Sequence, residues 1–275
     1  MKHLMNCLVA SAAVLALAQG RIVFKDKRTD PSLQIEGNKG MVEPDNRFEL
    51  DGNVIIRQPK DGTVITCANA KGDLVKVSAK DAAGKTISTT DIDNVKLTGG
   101  IRITQQNESG SSELTGTSAD YNLDGSNKKI KLTGNLKMTH NGAGQSKSAF
   151  TLTGTGANAI LRKQGKDSKL SSATLTGPIV FKGNELYKTA EGTKLREMSA
   201  KSNSMTYTLN EDESGQMVMR GNIELQQSTP DEDGPEVTGA QTITLDLNKK
   251  GEVVRVRLSA GEGSITTVYK KKGNA

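Results

Sequence analysis

The stretch Leu50-Asp51-Gly52-Asn53-Val54-Ile55-Ile56-Arg57-Gln58 decides the fold, because the same pattern returns four more times along the chain. It reappears as LTGGIRITQ from Leu97, LTGNLKMTH from Leu132, LTGPIVFKG from Leu175 and MRGNIELQQ from Met219, all aligned without gaps. The glycines Gly52, Gly99, Gly134, Gly177 and Gly221 stand 47, 35, 43 and 44 residues apart, which leaves room in each repeat for several strands and their turns. The pair Gly-Asn recurs at Gly52-Asn53, Gly134-Asn135 and Gly221-Asn222, where a permissive backbone allows a turn or bulge, so a bend is expected just before each strand. Gly100 and Pro178 take the Asn position in the other two copies; a proline lacks a ladder donor and points to an edge or a strand start.

After each glycine, apolar residues fall at the second and fourth positions: Val54 and Ile56, Ile101 and Ile103, Leu136 and Met138, Ile179 and Phe181, Ile223 and Leu225. This is the period of a β-strand. Polar residues such as Arg102, Lys137 and Glu224 lie between them, with Ile55 and Val180 as exceptions, so one face is expected to meet water and the other an apolar interior. Further alternating runs, Ala119 to Leu123, Met205 to Leu209, Ile243 to Leu247 and Val254 to Leu258, supply the remaining strands. Polar connectors such as Asp124-Gly125-Ser126-Asn127 separate them. A repeat that is apolar on one side cannot bury that side alone, and stacking repeats joins the sides into one continuous interior. The expectation is an all-β, elongated, solenoid-like stack of short antiparallel strands. Its aliphatic interior reads either as a packed core or as a slot open along one edge. The unpaired strands at the two ends of such a stack invite end-to-end self-association or joining to a homologous partner.

Composition narrows the chemistry. The 275 residues include only two His and two Cys, too few for a His/Cys metal cage, and Cys7 and His3 both lie at the extreme N-terminus. The acidic loops Glu211 to Glu213 and Asp231 to Asp233 lack the alternating ligand spacing of a calcium loop, and no paired-carboxylate arrangement can be read out. We therefore expect neither an enzyme nor a bound cofactor or metal. Residues 1–18 read as a secretory signal peptide: Lys2 and His3, an apolar run from Leu8 to Ala18, and a small-x-small end at Ala16-Leu17-Ala18. That run is shorter than the roughly 20 residues of a permanent span, an uncleaved short anchor being the alternative. Cleavage would leave Cys67 as the lone thiol, with no intramolecular disulfide. It would also leave 36 basic against 31 acidic residues, a mild excess that suits a phosphate-bearing partner or an ordinary surface equally. Export, and the lack of basic clusters interleaved with aromatics, argue against nucleic acid. The organisation expected is a leader at 1–18, a linker at 19–32, repeats over 33–269 as one long or two stacked units, and a solvated basic tail at 270–275 containing Lys270-Lys271-Lys272.

The repeated L-x-G-N-hydrophobic-x-hydrophobic unit, with Ala-x-Tyr strands such as Ala119-Asp120-Tyr121 before it and a leader at the start, resembles the OstA-like family. That family includes LptA, LptC and the N-terminal domain of LptD, and the resemblance covers roughly Leu33 to Leu258. It implies a periplasmic β-jellyroll, a folded-over pair of sheets, that carries lipopolysaccharide from the inner to the outer membrane with its acyl chains in an apolar groove and without catalysis. Carried over by position, the groove residues are the same ten that alternation selects. The implied partners are lipopolysaccharide or a related lipid and the homologous LptC-like and LptD-like jellyrolls. A cleaved leader fits an LptA-like soluble bridge; an uncleaved one fits an LptC-like anchored member. Gly100, Pro178 and the looser Gly37-Asn38-Lys39-Gly40 depart from the family pattern. The competing expectation is a structural or adhesive surface β-solenoid with a closed core.

Overall fold

The computed structural model describes residues 21–25, 33–43, 46–58, 62–80, 85–107, 110–124, 127–142, 149–164, 167–189, 192–230, 232–249, 253–261 and 263–271. The expected leader lies outside the described residues. The strands are β1 (Ile22–Lys25), β2 (Gln34–Gly37), β3 (Lys39–Glu43), β4 (Arg47–Gln58), β5 (Thr63–Lys80), β6 (Thr86–Asn107), β7 (Gly110–Asp124) and β8 (Asn127–Gly142). They continue with β9 (Ala149–Gln164), β10 (Asp167–Thr189), β11 (Gly192–Leu209), β12 (Gly215–Ser228), β13 (Glu232–Leu247), β14 (Val253–Ser259) and β15 (Thr266–Lys271). Among the described residues there is no helix, so none long and apolar enough to cross a membrane. The chain is all-β and antiparallel, a jellyroll-type fold whose sheet does not close on itself, as the repeats lead one to expect.

Contacts divide the chain into two compact units, Met1–Gln105 with Ser118–Asn122, and Gln106–Thr117 with Leu123–Ala275. In the first, β1, β2, β4, β5 and β6 pair in that order, with β3 also on β4. Its core is Ile35, Phe48, Leu50, Val54 and Ile56, each no more than 2% exposed, together with Leu74, Ile92, Val95, Leu97 and Ile101. In the second, β8 to β14 pair in chain order and β15 joins β13. Its core gathers Ile179, Ala200, Met205, Met219, Ile223, Val237, Ala240 and Ile243.

The strands are not short. Each repeat glycine sits inside one long strand that continues on both sides of it, from 12 residues in β4 to 23 in β10. The physical reason is a bulge. Asp51 pairs with Asn69 but Val54 pairs with Cys67, so β4 carries one residue more than β5 across Gly52-Asn53. The same excess appears at Gly134-Asn135, where Thr133 faces Gly156 and Leu136 faces Gly154, and at Gly221-Asn222, between the pairs Arg220–Thr242 and Ile223–Ala240. Both members of each pair take left-handed φ, 73° and 49° at Gly52 and Asn53, which explains why Gly is followed by Asn. Buried residues are consequently four apart on the bulged strands, Leu50 and Val54 or Met219 and Ile223, and three apart on the facing strands, Cys67 and Ala70 or Ala240 and Ile243.

Three further differences from the sequence-based expectation follow. Pro178 is neither at an edge nor at a strand start: it lies within β10, which pairs with β9 and β11, at the point where both registers break, so no ladder donor is demanded of it. Two corners carry no copy of the motif. Asn94 (φ 48°) bends β6 where Lys71 and Asp73 change register, and Gly239 (φ 80°) bends β13. Finally, β1 falls within the stretch expected to be linker, and β15 reaches Lys271, with Glu232 opposite Lys271 and Asp233 opposite Lys270 in register. Lys270 and Lys271 therefore belong to the ladder and not to a free tail.

Candidate functional site

Alternation and bulge together place all ten sequence-selected residues on the apolar faces, but at two depths. Val54, Ile56, Ile101, Leu136, Ile179 and Ile223 are sealed, none more than 4% exposed. Ile103, Met138, Phe181 and Leu225 are half-buried. Apart from Ile56, the split follows position in the motif: the residue two after the glycine is locked against the corner, and the residue four after it lies farther from the corner.

In the first unit the outer position continues a row of cross-strand neighbours, Ile103–Ile65–Ile56–Ile35–Phe24. In the second unit the corresponding row is Met138–Leu152–Phe181–Ala200–Leu225–Val237, crossing β8 to β13. Leu152, Phe181 and Leu225 pack on the sealed residues beneath and keep part of their surface in solvent. This apolar row, half-open at Met138, Leu152, Phe181 and Leu225 and closed at Ala200 and Val237, is the candidate site. Leu152, Phe150, Met198 and Ala200 are not marked by the glycine motif because they lie on the return strands β9 and β11, which carry no copy of it. Their signal is the plain alternation of Phe150-Thr151-Leu152 and Met198-Ser199-Ala200.

One step beyond that row, toward the strand ends, stands a second: His140–Phe150–Gly183–Met198–Gln227. The His140 ring stacks on Phe150 with centroids 5.3 Å apart, and Phe150 tilts against Phe181 at 5.9 Å. Ser112 Oγ lies 2.9 Å from His140 Nδ1. Gly183 makes room for the rings: a Cβ there would sit 2.9 Å from Phe181 Cζ and 3.1 Å from Phe150 Cβ.

There are also surface depressions. One of about 680 Å³ in the second unit is bounded by Thr139, Thr151, Lys182, Ser199 and Gln226 and, toward the strand ends, by Phe150, Gly183, Met198 and Gln227 of the second row. One of about 500 Å³ in the first unit is bounded by Glu49, Asp51, Asn69, Lys71 and Lys96, with Lys71 Nζ 3.4 Å from Glu49. Among the described residues no group of three or more His, Cys, Asp or Glu is placed to hold a metal ion. In the 211–213 loop, hydrogen bonds from Ser214 N and Oγ hold the Asp212 carboxyl below its usual range. Cys67, paired with Val54 across β4 and β5, is 7% exposed, and its thiol lies 3.3 Å from Asn69 O. Burial pushes its pKa up to about 11, so it stays a protonated, sheltered thiol at neutral pH.

The last strand on the second unit's pairing path is the chief departure from ordinary surface chemistry. β14 continues the apolar face, with Val256 opposite Leu245 and Leu258 opposite Ile243. Yet Val254 is 64% exposed, Val256 54% and Leu258 38%. No protein-family model, curated protein or solved structure matches the chain. Fold and site define the class on their own terms: an antiparallel jellyroll-type protein whose second unit carries a half-open apolar row and an exposed apolar edge.

Proposed function

We propose that this chain is a periplasmic lipid-binding bridge that carries lipopolysaccharide from the inner to the outer membrane by holding its acyl chains along the apolar row of the second unit. The observation that carries the reading is the row itself, six side chains from six consecutive strands, of which Met138, Leu152, Phe181 and Leu225 are half-open and Ala200 and Val237 are buried, over a sealed floor of Leu136, Ile179 and Ile223. Each methylene buried there would contribute about 0.8 kcal/mol, so an acyl chain needs no polar contact to bind. Photocrosslinking tests it, with p-benzoylphenylalanine placed in turn at Met138, Phe181 and Leu225 and, as the outward control, at exposed Lys137. Crosslinks to lipopolysaccharide from the three apolar sites and none from Lys137 are expected. Silence at all four, with folded protein and excess lipid, overturns the reading.

The sealed floor also favours a second reading, a structural or adhesive surface β-protein with a closed core, since six of the ten groove candidates are out of reach of any ligand as the strands stand. That reading takes over if no crosslink forms.

A bridge needs neighbours, and β14 supplies the means. A free strand edge bearing exposed Val and Leu is normally avoided because it pairs with other chains. Here it supports joining to a homologous LptC-like or LptD-like jellyroll, or to a second copy end to end. Light scattering is expected to show concentration-dependent association of the native chain that V256K abolishes. A protein that stays monomeric at all concentrations and binds no such jellyroll would remove the bridge part of the proposal.

A further inference from the structure

The rim of the apolar row holds a single polar side chain that is both oriented and unspent. His140 stands two residues from Met138 on β8, as Phe150 does from Leu152 on β9, so the imidazole shares the face of the acyl row. It is held from two sides, by the Phe150 ring and by Ser112, and Phe150 is backed in turn by Phe181, in a chain that is only 3% aromatic. Ser112 engages Nδ1, and with the hydroxyl as donor the ring proton sits on Nε2. Nε2 has no hydrogen-bond partner among the described residues. The rim row, His140, Phe150, Gly183, Met198 and Gln227, contains no carboxylate. Lys182 and Glu197, whose neighbours Phe181 and Met198 face the row, belong by alternation to the other face.

We propose that His140 reads the headgroup of the bound lipid: Nε2 donates a hydrogen bond to an acidic oxygen, carboxylate or phosphate, of an acyl amphiphile whose chain runs along Met138, Leu152 and Phe181. The proposal rests on the lipid-binding reading and adds the class of headgroup. An anionic acceptor is favoured because a hydrogen bond to a charged group is roughly twice as strong as one between neutral groups. A guest with an uncharged head would receive only the apolar term.

The experiment exploits the scarcity of histidine, since His3 and His140 are the chain's only two imidazoles. The full chain is labelled with ¹⁵N-histidine and titrated separately with oleate, lysophosphatidic acid and monoolein. Both acids are expected to move the His140 Nε2 resonance and to bind about tenfold more tightly than monoolein. His140→Phe keeps an aromatic ring against Phe150 and removes the nitrogen; it should bring both acids down to the affinity of monoolein and leave monoolein unchanged. Ser112→Ala, which keeps the imidazole but frees its orientation, should weaken the acids by a smaller factor and serves as the test if His140→Phe does not fold. A response to one acid alone would support the proposal and assign the headgroup to that source. Binding of all three with equal affinity and an unmoved Nε2 resonance would overturn it while leaving the lipid-binding reading in place. Binding of none, monoolein included, would overturn both.

Discussion

Gly177→Ala should lower the stability of the second unit by about 3 kcal/mol. Two costs combine. Gly177 has φ 90°, where an L-residue is strained by roughly 1–2 kcal/mol. The new Cβ would also collide with Thr155 on the facing strand, falling on Oγ1 and lying within 2.8 Å of Cβ. Thr155 is not free to turn aside, because its hydroxyl donates to Thr176 O at 3.0 Å. Pro178, next in the chain, cannot take positive φ, so at this corner the left-handed geometry rests on Gly177 by itself, whereas at the other four copies of the motif two residues share it. Gly100→Ala is the internal comparison: φ is 80°, but nothing lies within 4 Å of the added Cβ, so only the conformational cost of about 1 kcal/mol is expected. Urea unfolding of the two variants measures the difference, and the pair Gly177→Ala with Thr155→Gly should recover the collision part. Equal destabilisation by both alanines would show that the facing strand yields and that the corners are set by backbone conformation alone.

Glu36→Ala is expected to cost the first unit about 2–3 kcal/mol and to release its N-terminal strand. The Glu36 side chain is 8% exposed and is surrounded by donors: Arg21 Nη1 at 3.0 Å, Arg57 Nη1 in closer contact, and Gln34 Nε2 at 2.8 Å. Arg21 also reaches Asn53 O, so the cluster ties the residue preceding β1 to the Gly52-Asn53 corner. Removing the carboxylate leaves two guanidinium groups side by side without their shared acceptor. A control is available in Glu43, whose contact with Arg47 at 3.4 Å is open to solvent, and Glu43→Ala should change stability by no more than about 0.5 kcal/mol. Hydrogen exchange would locate the effect: faster exchange in β1 and β2 is expected for Glu36→Ala and not for Glu43→Ala. Uniform exchange behaviour in the two variants would mean that β1 is held by its ladder and not by the ion cluster.

Much of this architecture is legible in a single motif because the motif is a mechanical part. Gly-Asn marks two successive left-handed residues, and the apolar pair behind it marks the face that the strand buries; both properties are local, so both can be read without knowing the partner strand. The corner at Asn94 escapes the reading because Asp93 stands where the motif has Gly, although Val95 and Leu97 follow in the usual places, and the corner at Gly239 because Gln241 stands where the motif has its first apolar residue. Pro178 misleads because a proline is forbidden in a ladder but harmless in a bulge, and the bulge exists only once a second strand is paired. The three-residue step on β5 and β13, Cys67 to Ala70 and Ala240 to Ile243, breaks period two for the same reason.

The sequence by itself determined that the chain is all-β, where its main corners fall and which side chains turn inward, since alternation and left-handed backbone propensity act residue by residue. Only the tertiary structure decided how deep each inward residue lies and what stands beside it. Ile179 and Phe181 obey the same alternation, yet one is sealed by facing strands and the other is left half-open. His140 meets Phe150 and Ser112 because pairing of β7, β8 and β9 brings together residues as far as 28 positions apart. Burial and convergence are properties of cross-strand packing, and no local pattern encodes which strand will lie opposite.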